Sequence, residues 1–391
     1  MTKNNTNRIQ SIDIVRGIVM IIMALDHTRD LIHVQSITDQ PTNLLTTTSV
    51  LFFTRWITHL CAPTFVFLSG TSAYLSFKIK NDTAATRRFL LTRGLWLVVL
   101  EATLVNFGVW FDIHFGVLLF DVIATIGFGF IVLSFLVKAS VKTIAAIGLA
   151  ILFLHDLAPL VPFAESSVLK QVLMPFFGPA AFPFGGGRLF IMAYPPIPWL
   201  GILLTGFAAG RLFEKTGKER KMIFLRLGLF SLVLFLLIRG LNVYGDPVPW
   251  SSQKNTLFTF LSFLNVTKYP PSLCFTLVTL GVMFLMLAAA EGLTNAVARI
   301  TTVYGKVPLF YFLVHWYIIH PILFLIVFLQ GYKASELVFG TNFGRPKASS
   351  GLSLGWIYLL WLLVVIALYP LCKRYGEYKA KHREKEWLRY L

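Results

Sequence analysis

The sequence predicts an all-α fold, a polytopic transmembrane helix bundle of about ten spans with both termini cytoplasmic. Three observations predict it. Of the 391 residues, 56% are hydrophobic and only 14% are charged, against about 25% charged in an ordinary soluble domain. The apolar residues fall in blocks that approach or exceed the roughly 20 residues a helix needs to cross a bilayer. Lys and Arg collect in alternate connections between those blocks, as they do on the cytoplasmic side of membrane proteins.

The blocks place spans at 11–32, 50–77, 89–109, 115–137, 141–160, 195–213, 223–243, 269–290, 307–329 and 353–372. The first begins near Ile12 with no small-residue cleavage site after it, so it is expected to stay as a spanning helix. The second reads FFTRWITHLCAPTFVFLSGTSAYLSF. In it Arg55 and His59 are one turn apart, and Ala62, Ser69 and Ala73 continue that face with small residues suited to close helix contact. Pro63 frees a backbone carbonyl near His59. The third and fourth spans each carry a lone acid, Glu101 and Asp121, which calls for bases on other helices.

Residues 161–194 and 244–268 read as non-spanning connections that dip into the interface, where aromatic residues are favoured. Within the first, Gly185-Gly186-Gly187-Arg188 lacks the Walker spacing and the Lys-Ser/Thr ending, so it reads as a flexible loop rather than an anion site. The ninth span begins YGKVPLFYFLVHWYIIHP. Tyr311 and His315 are i,i+4 neighbours there, and Lys306 lies at the cytoplasmic rim. Two units follow: a multi-span domain, 1–372, and a basic cytoplasmic tail, 373–391, read as solvated or as resting on anionic headgroups.

The net charge of +17 would suggest nucleic acid in a soluble chain, but the positions of the charges exclude it. Twenty-four of the 35 Lys and Arg fall in one set of connections, including Lys3, Arg8, Arg87, Arg88, Arg93, the 211–226 cluster, Lys306 and the tail. Ten fall on the opposite side or at the span ends beside it. The partner is a membrane surface. Cys61, Cys274 and Cys372 are far apart and form no metal or redox spacing, so they read as small buried hydrophobes.

The histidines are distributed differently. Seven of the eight fall at mid-depth or beyond, away from the basic connections. Some are expected as packing donors to neighbouring carbonyls. In the first span, Asp13, Arg16, Met20, Met23 and His27 share a stripe, with Asp30 near its edge. Asp13 and Arg16 are close enough to pair, and about 16 Å of helix separates Arg16 from His27. Such a stripe avoids lipid. It reads either as an ion-paired seam or as the wall of a through-membrane active site, with Asp26 or Asp30 orienting the His27 imidazole.

The stretches RIQSIDIVRGIVMIIMALDHTRD, CAPTFVFLSGTSAYL, YPPIPWLGILLTGFAAG and KYPPSLCFTLVTLG together resemble bacterial membrane proteins grouped with the heparan-α-glucosaminide N-acetyltransferase catalytic domain. More distantly they resemble other membrane acyltransferases. The resemblance runs from Arg8 to about His320. It implies a bacterial inner-membrane enzyme that moves an acetyl group from cytoplasmic acetyl-CoA, its co-substrate, to an amine or hydroxyl of a sugar or glycan acceptor on the far side, without a metal. It also implies a catalytic histidine in the connection after the first span, where this chain has His33, preceded by an asparagine whose place His27 takes.

The residues agree with that chemistry. His27 is the expected general base, with His33, His59 and His315 as alternatives. Arg87, Arg88, Arg93 and Lys306 are expected toward the CoA phosphates, and the Asp13–Arg16 pair is expected among the residues of the substrate and CoA site. Met20, Met23, Ser69 and Tyr311 are expected along the pantetheine arm. A homodimer is left open. The rival is a proton-coupled transporter of a small polar solute, since carboxylate and histidine relays serve that role too. Against it stand the lack of an inverted repeat and of paired broken helices.

Overall fold

A computed structural model describes residues 9–162 and 167–390. Lys3 and Arg8 of the basic connections, and Leu391 of the tail, lie outside the described residues. In chain order the helices are α1 (Gln10–Ile32), α2 (Ser49–Thr58), α3 (Cys61–Lys80), α4 (Thr83–Leu100), α5 (Asn106–Trp110), α6 (Val122–Leu136), α7 (Val141–Leu154), α8 (Val168–Leu173), α9 (Pro196–Ala209) and α10 (Gly217–Leu241). They continue with α11 (Thr256–Leu264), α12 (Leu273–Ala290), α13 (Ala296–Gly305), α14 (Pro308–Leu329) and α15 (Leu354–Lys381). The all-α bundle is the fold the sequence predicts.

Eight helical stretches among the described residues are long and apolar enough to cross a membrane. Beside them run α6, which is shorter, and α1, whose 23 residues reach about 34 Å. α1 holds five charged side chains, yet α2, α3, α12, α13, α14 and α15 surround it. Protein rather than lipid receives those charges. At the periphery, α10 turns Leu229, Phe230, Val233, Leu236 and Leu237 outward, an apolar face suited to acyl chains.

Close approach is built from glycine. A Cβ on Gly17 would lie 1.8 Å from the Thr301 carbonyl oxygen, and one on Gly305 would lie 1.8 Å from that of Asp13. So α1 and α13 meet backbone to backbone. Gly70 and Gly206 make the same reciprocal contact between α3 and α9.

Three local expectations change. The second span is two helices, α2 and α3, joined at His59 and Leu60. Pro63 cannot donate to the carbonyl four residues back, so the helix breaks there. The fourth span does not begin at 115: Val117–Phe120 is strand β1, and α6 starts only at Val122. The third change is that the 161–194 connection supplies β2 (Ala180–Phe184) and β3 (Arg188–Met192). The three strands form a sheet in the order β1-β3-β2, with β1 parallel to β3 and β2 antiparallel to it. The glycine run is the hairpin turn of β2 and β3, where Gly186 and Gly187 take positive φ, as a tight hairpin turn requires.

α15 runs without a break across residue 372 to Lys381, and a 3₁₀ turn at Glu386–Arg389 follows it. Cys61, Cys274 and Cys372 are buried free thiols.

Candidate active site

A cavity of about 330 Å³ opens at the end of the bundle that carries the basic connections. Arg16, Arg93, Lys306 and Lys379 line it together with Met20, Ser69, Ser72 and Leu97, and Val122 and Phe312 are also on its wall. It follows α6 from Phe130 to Val122, about 12 Å at helical rise. Arg16 is held in place: its Nη2 donates to the Leu68 carbonyl at 2.8 Å and to Ser72 Oγ at 2.5 Å.

Beyond Phe312 lies a histidine pair. His27 Nδ1 and His315 Nε2 are 2.6 Å apart. The His27 ring stacks on Trp316 at 4.2 Å between centroids, with 4.9 Å to His315. The Phe312 ring meets His27 edge-on at 6.3 Å and His315 at 5.5 Å. The sequence explains this grouping, since Phe312, His315 and Trp316 are spaced i, i+3, i+4 and share one face of α14. One aromatic ring therefore separates the cavity from the imidazoles. His315 Nδ1 is buried without a hydrogen-bond partner. The buried Trp316 Nε1 also has no acceptor.

The expected carboxylate orienters are otherwise engaged. Asp26 accepts from Arg29 Nη2 at 2.7 Å and pairs closely with Arg55. Asp30 pairs with Arg29 at 2.7 Å. Two guanidiniums pull these carboxylates into an ion-pair chain, so the contact to the His27 ring nitrogen comes from His315 rather than from an acid. Asp26 still lies close enough to act on the charge of His27.

The other predicted residues are dispersed. His33 ends α1; its carbonyl accepts from Arg345 Nη1 at 3.0 Å, and its backbone bridges to Leu352. Burial, then the charges of Arg29 and Arg345, keeps its imidazole below the usual histidine range. His59 sits buried at the α2–α3 break, edge-on to Phe275 at 5.5 Å, with Nδ1 lacking a partner. Tyr311 stacks 6.0 Å from His315, but its hydroxyl has no hydrogen-bond partner, so the expected phenol–imidazole bond is not made. Asp13 is buried where α1 meets Gly305, and Met23 is buried off the cavity. Arg87 and Arg88 point outward, with Arg87 over the Phe135 ring. Their neighbour Arg93, about one and a half turns further along α4, is the cation that reaches the cavity.

Two histidines do the packing work expected of some of them. His155 lies between the Ile151 and Pro271 carbonyls, and His320 between those of Gly108 and Phe343. The lone acids are also placed. Glu101, from a π-helical segment between α4 and α5, accepts the Ile123 and Ala124 N–H groups at 3.0 Å. It thereby caps α6 in place of Asp121, whose side chain makes no cap. Arg55 and Lys268 lie near enough to act on both Asp26 and Asp121. Lys268 is buried beside the Tyr194 and Tyr269 rings. Sequence reasoning missed Phe312, Trp316, Phe89 and Lys379; the i, i+3, i+4 spacing around His315 signals the first two.

Fold and site together define a membrane-embedded protein with a cavity lined by cations at one end and also by Phe312, the ring beside a buried histidine pair. The family model for heparan-alpha-glucosaminide N-acetyltransferase, catalytic, matches residues 8–244. That is more than half of the 391 residues, and the chain belongs to this family. A transferase is the general class this supports. Among curated proteins, none matches the chain.

Proposed function

We propose that this protein transfers an acetyl group from acyl-CoA, entering at the basic, cytoplasmic end, to an amine or hydroxyl of a sugar-type acceptor at the other end. The single observation that carries the reading is the cavity's course, from four cations to a phenylalanine in contact with His27 and His315. Family membership supports the acyl chemistry. The cations of its lining match the phosphates of the donor through charge-assisted hydrogen bonds, and the mostly apolar remainder matches its pantetheine arm.

The histidine pair supplies the proton handling. In the tautomer with the proton on His315 Nδ1, Nε2 accepts from His27 Nδ1–H. His27 Nε2 is then the free base. It takes the proton of the acceptor N–H or O–H as that atom attacks the thioester carbon. The C–S bond breaks, and the proton returns to the CoA sulfur. Such proton transfer contributes about 10²–10⁴ in rate. The unpartnered Trp316 N–H is available to the oxyanion as charge develops there. Phe312 must turn aside for the thioester to reach the bases.

The test is calorimetric binding of acetyl-CoA to the purified protein, with thiol release measured against a panel of amino sugars. His27→Ala is expected to reduce release by about 10²-fold or more with acetyl-CoA affinity unchanged. Turnover that survives the substitution would remove His27 from the mechanism. Absence of binding by any acyl-CoA would end the transferase reading.

A further inference from the structure

The chain does not trail away after α15. Lys379, in the last turn, lines the cavity. Beyond it the backbone reverses. The His382 N–H and Nδ1 both lie at the Tyr378 carbonyl, at 3.0 and 2.9 Å, and the two tilted rings have centroids 4.2 Å apart. Lys385 Nζ donates to the Tyr378 hydroxyl at 2.7 Å. The 3₁₀ turn that follows buries Leu388 to 2% exposure and delivers Tyr390 to α4. There its hydroxyl meets Thr92 Oγ1 at 3.1 Å and its ring lies 6.1 Å from Phe89.

Phe89 is itself a wall of the cavity mouth. Lys80 Nζ lies 4.2 Å from its centroid and the Arg93 guanidinium 6.0 Å. A basic segment with no task would be solvated. This one instead places the Tyr390 ring beside Phe89, near Lys80 and Arg93, at the edge of the cavity that Phe89, Arg93, Lys306 and Lys379 line. Rings for stacking a base and cations for phosphate are what a phosphorylated nucleotide requires.

We infer that residues 382–390 are the closing wall of the mouth, and that Phe89 and Tyr390 with the surrounding cations form a subsite for the phosphorylated adenosine end of the donor. The inference rests on the donor reading above but draws on residues beyond the 8–244 family match. The tail is thus part of the binding site rather than a surface anchor, and the donor's pantetheine end owes it nothing.

The experiment compares the full chain with a chain ending at Lys381 and with Tyr390→Ala, titrating acetyl-CoA, adenosine 3′,5′-bisphosphate and acetyl-pantetheine. Truncation is expected to weaken acetyl-CoA and the bisphosphate by about tenfold or more and to leave acetyl-pantetheine unchanged. Tyr390→Ala, which keeps Leu388 in place, is expected to show the same selectivity with smaller losses, and it carries the test if the truncated chain fails to fold. Bisphosphate affinity within about twofold of the full chain would overturn the inference, and so would an affinity that rises, since the tail would then be a plug. If the full chain binds no acetyl-CoA, the donor reading itself has failed. If it binds and the variants match it, only the role of the tail has failed.

Discussion

Glu101 shows how one oxygen of a buried acid can be occupied by the start of a neighbouring helix, while Oε1 is buried without a partner. It accepts two N–H groups at the start of α6, donors with no partner inside their own helix. Replacing it by Ala should cost about 1–3 kcal/mol for each donor left bare, visible as a large fall in melting temperature in detergent; a melt unchanged by Glu101→Ala would show that water or Asp121 takes over. Sequence reasoning saw a lone acid and expected a base, because spacing reveals which residues share a face but not which helix stands opposite. The same limit applies around His27. That it belongs to a buried stripe was legible from the 3.6-residue period, whereas its partner, His315, lies 288 positions away in the chain. Arg16, Met20, Ser69 and Lys306 were legible as a channel because their chemistry is graded along the axis, from cation to apolar. Arg87 and Arg88 were not separable from Arg93, since all three lie on one short basic stretch and only helix rotation distinguishes them.

Among the elements, α1 and α13 carry the clearest consequence. Gly17 faces the Thr301 carbonyl oxygen with no room for a methyl group. Gly17→Ala should therefore force the two helices apart at a cost of about 3 kcal/mol or more, displacing Arg16 one position away. The expected readout is a lowered melting temperature together with weakened acetyl-CoA binding; a variant that melts and binds as the parent does would mean the helices are not so closely seated. The helices were legible as blocks of hydropathy, including α1 despite its five charges. The small sheet was not. Its strands are four and five residues long, and β1 was absorbed into the apolar run of the fourth span. The parallel pairing of Val117–Phe120 with Leu189–Met192 joins segments that no local pattern links.

The whole molecule is a bundle with a charged, buried helix at its centre and lipid-facing helices outside it. α1 carries Arg16 at one end and His27 toward the other, and its backbone is seated against α13 without an intervening layer of side chains. Transporters that expose a site alternately rock one half of the bundle against the other, and a central post wedged in this way resists such a swing. Under the proposed transferase reading, each co-substrate then arrives and departs through its own doorway, with both resident at the moment of reaction. Initial-rate plots for varied donor at several fixed acceptor levels should accordingly converge on a common point. Parallel lines would instead signify an enzyme that is acylated, emptied and only afterwards refilled.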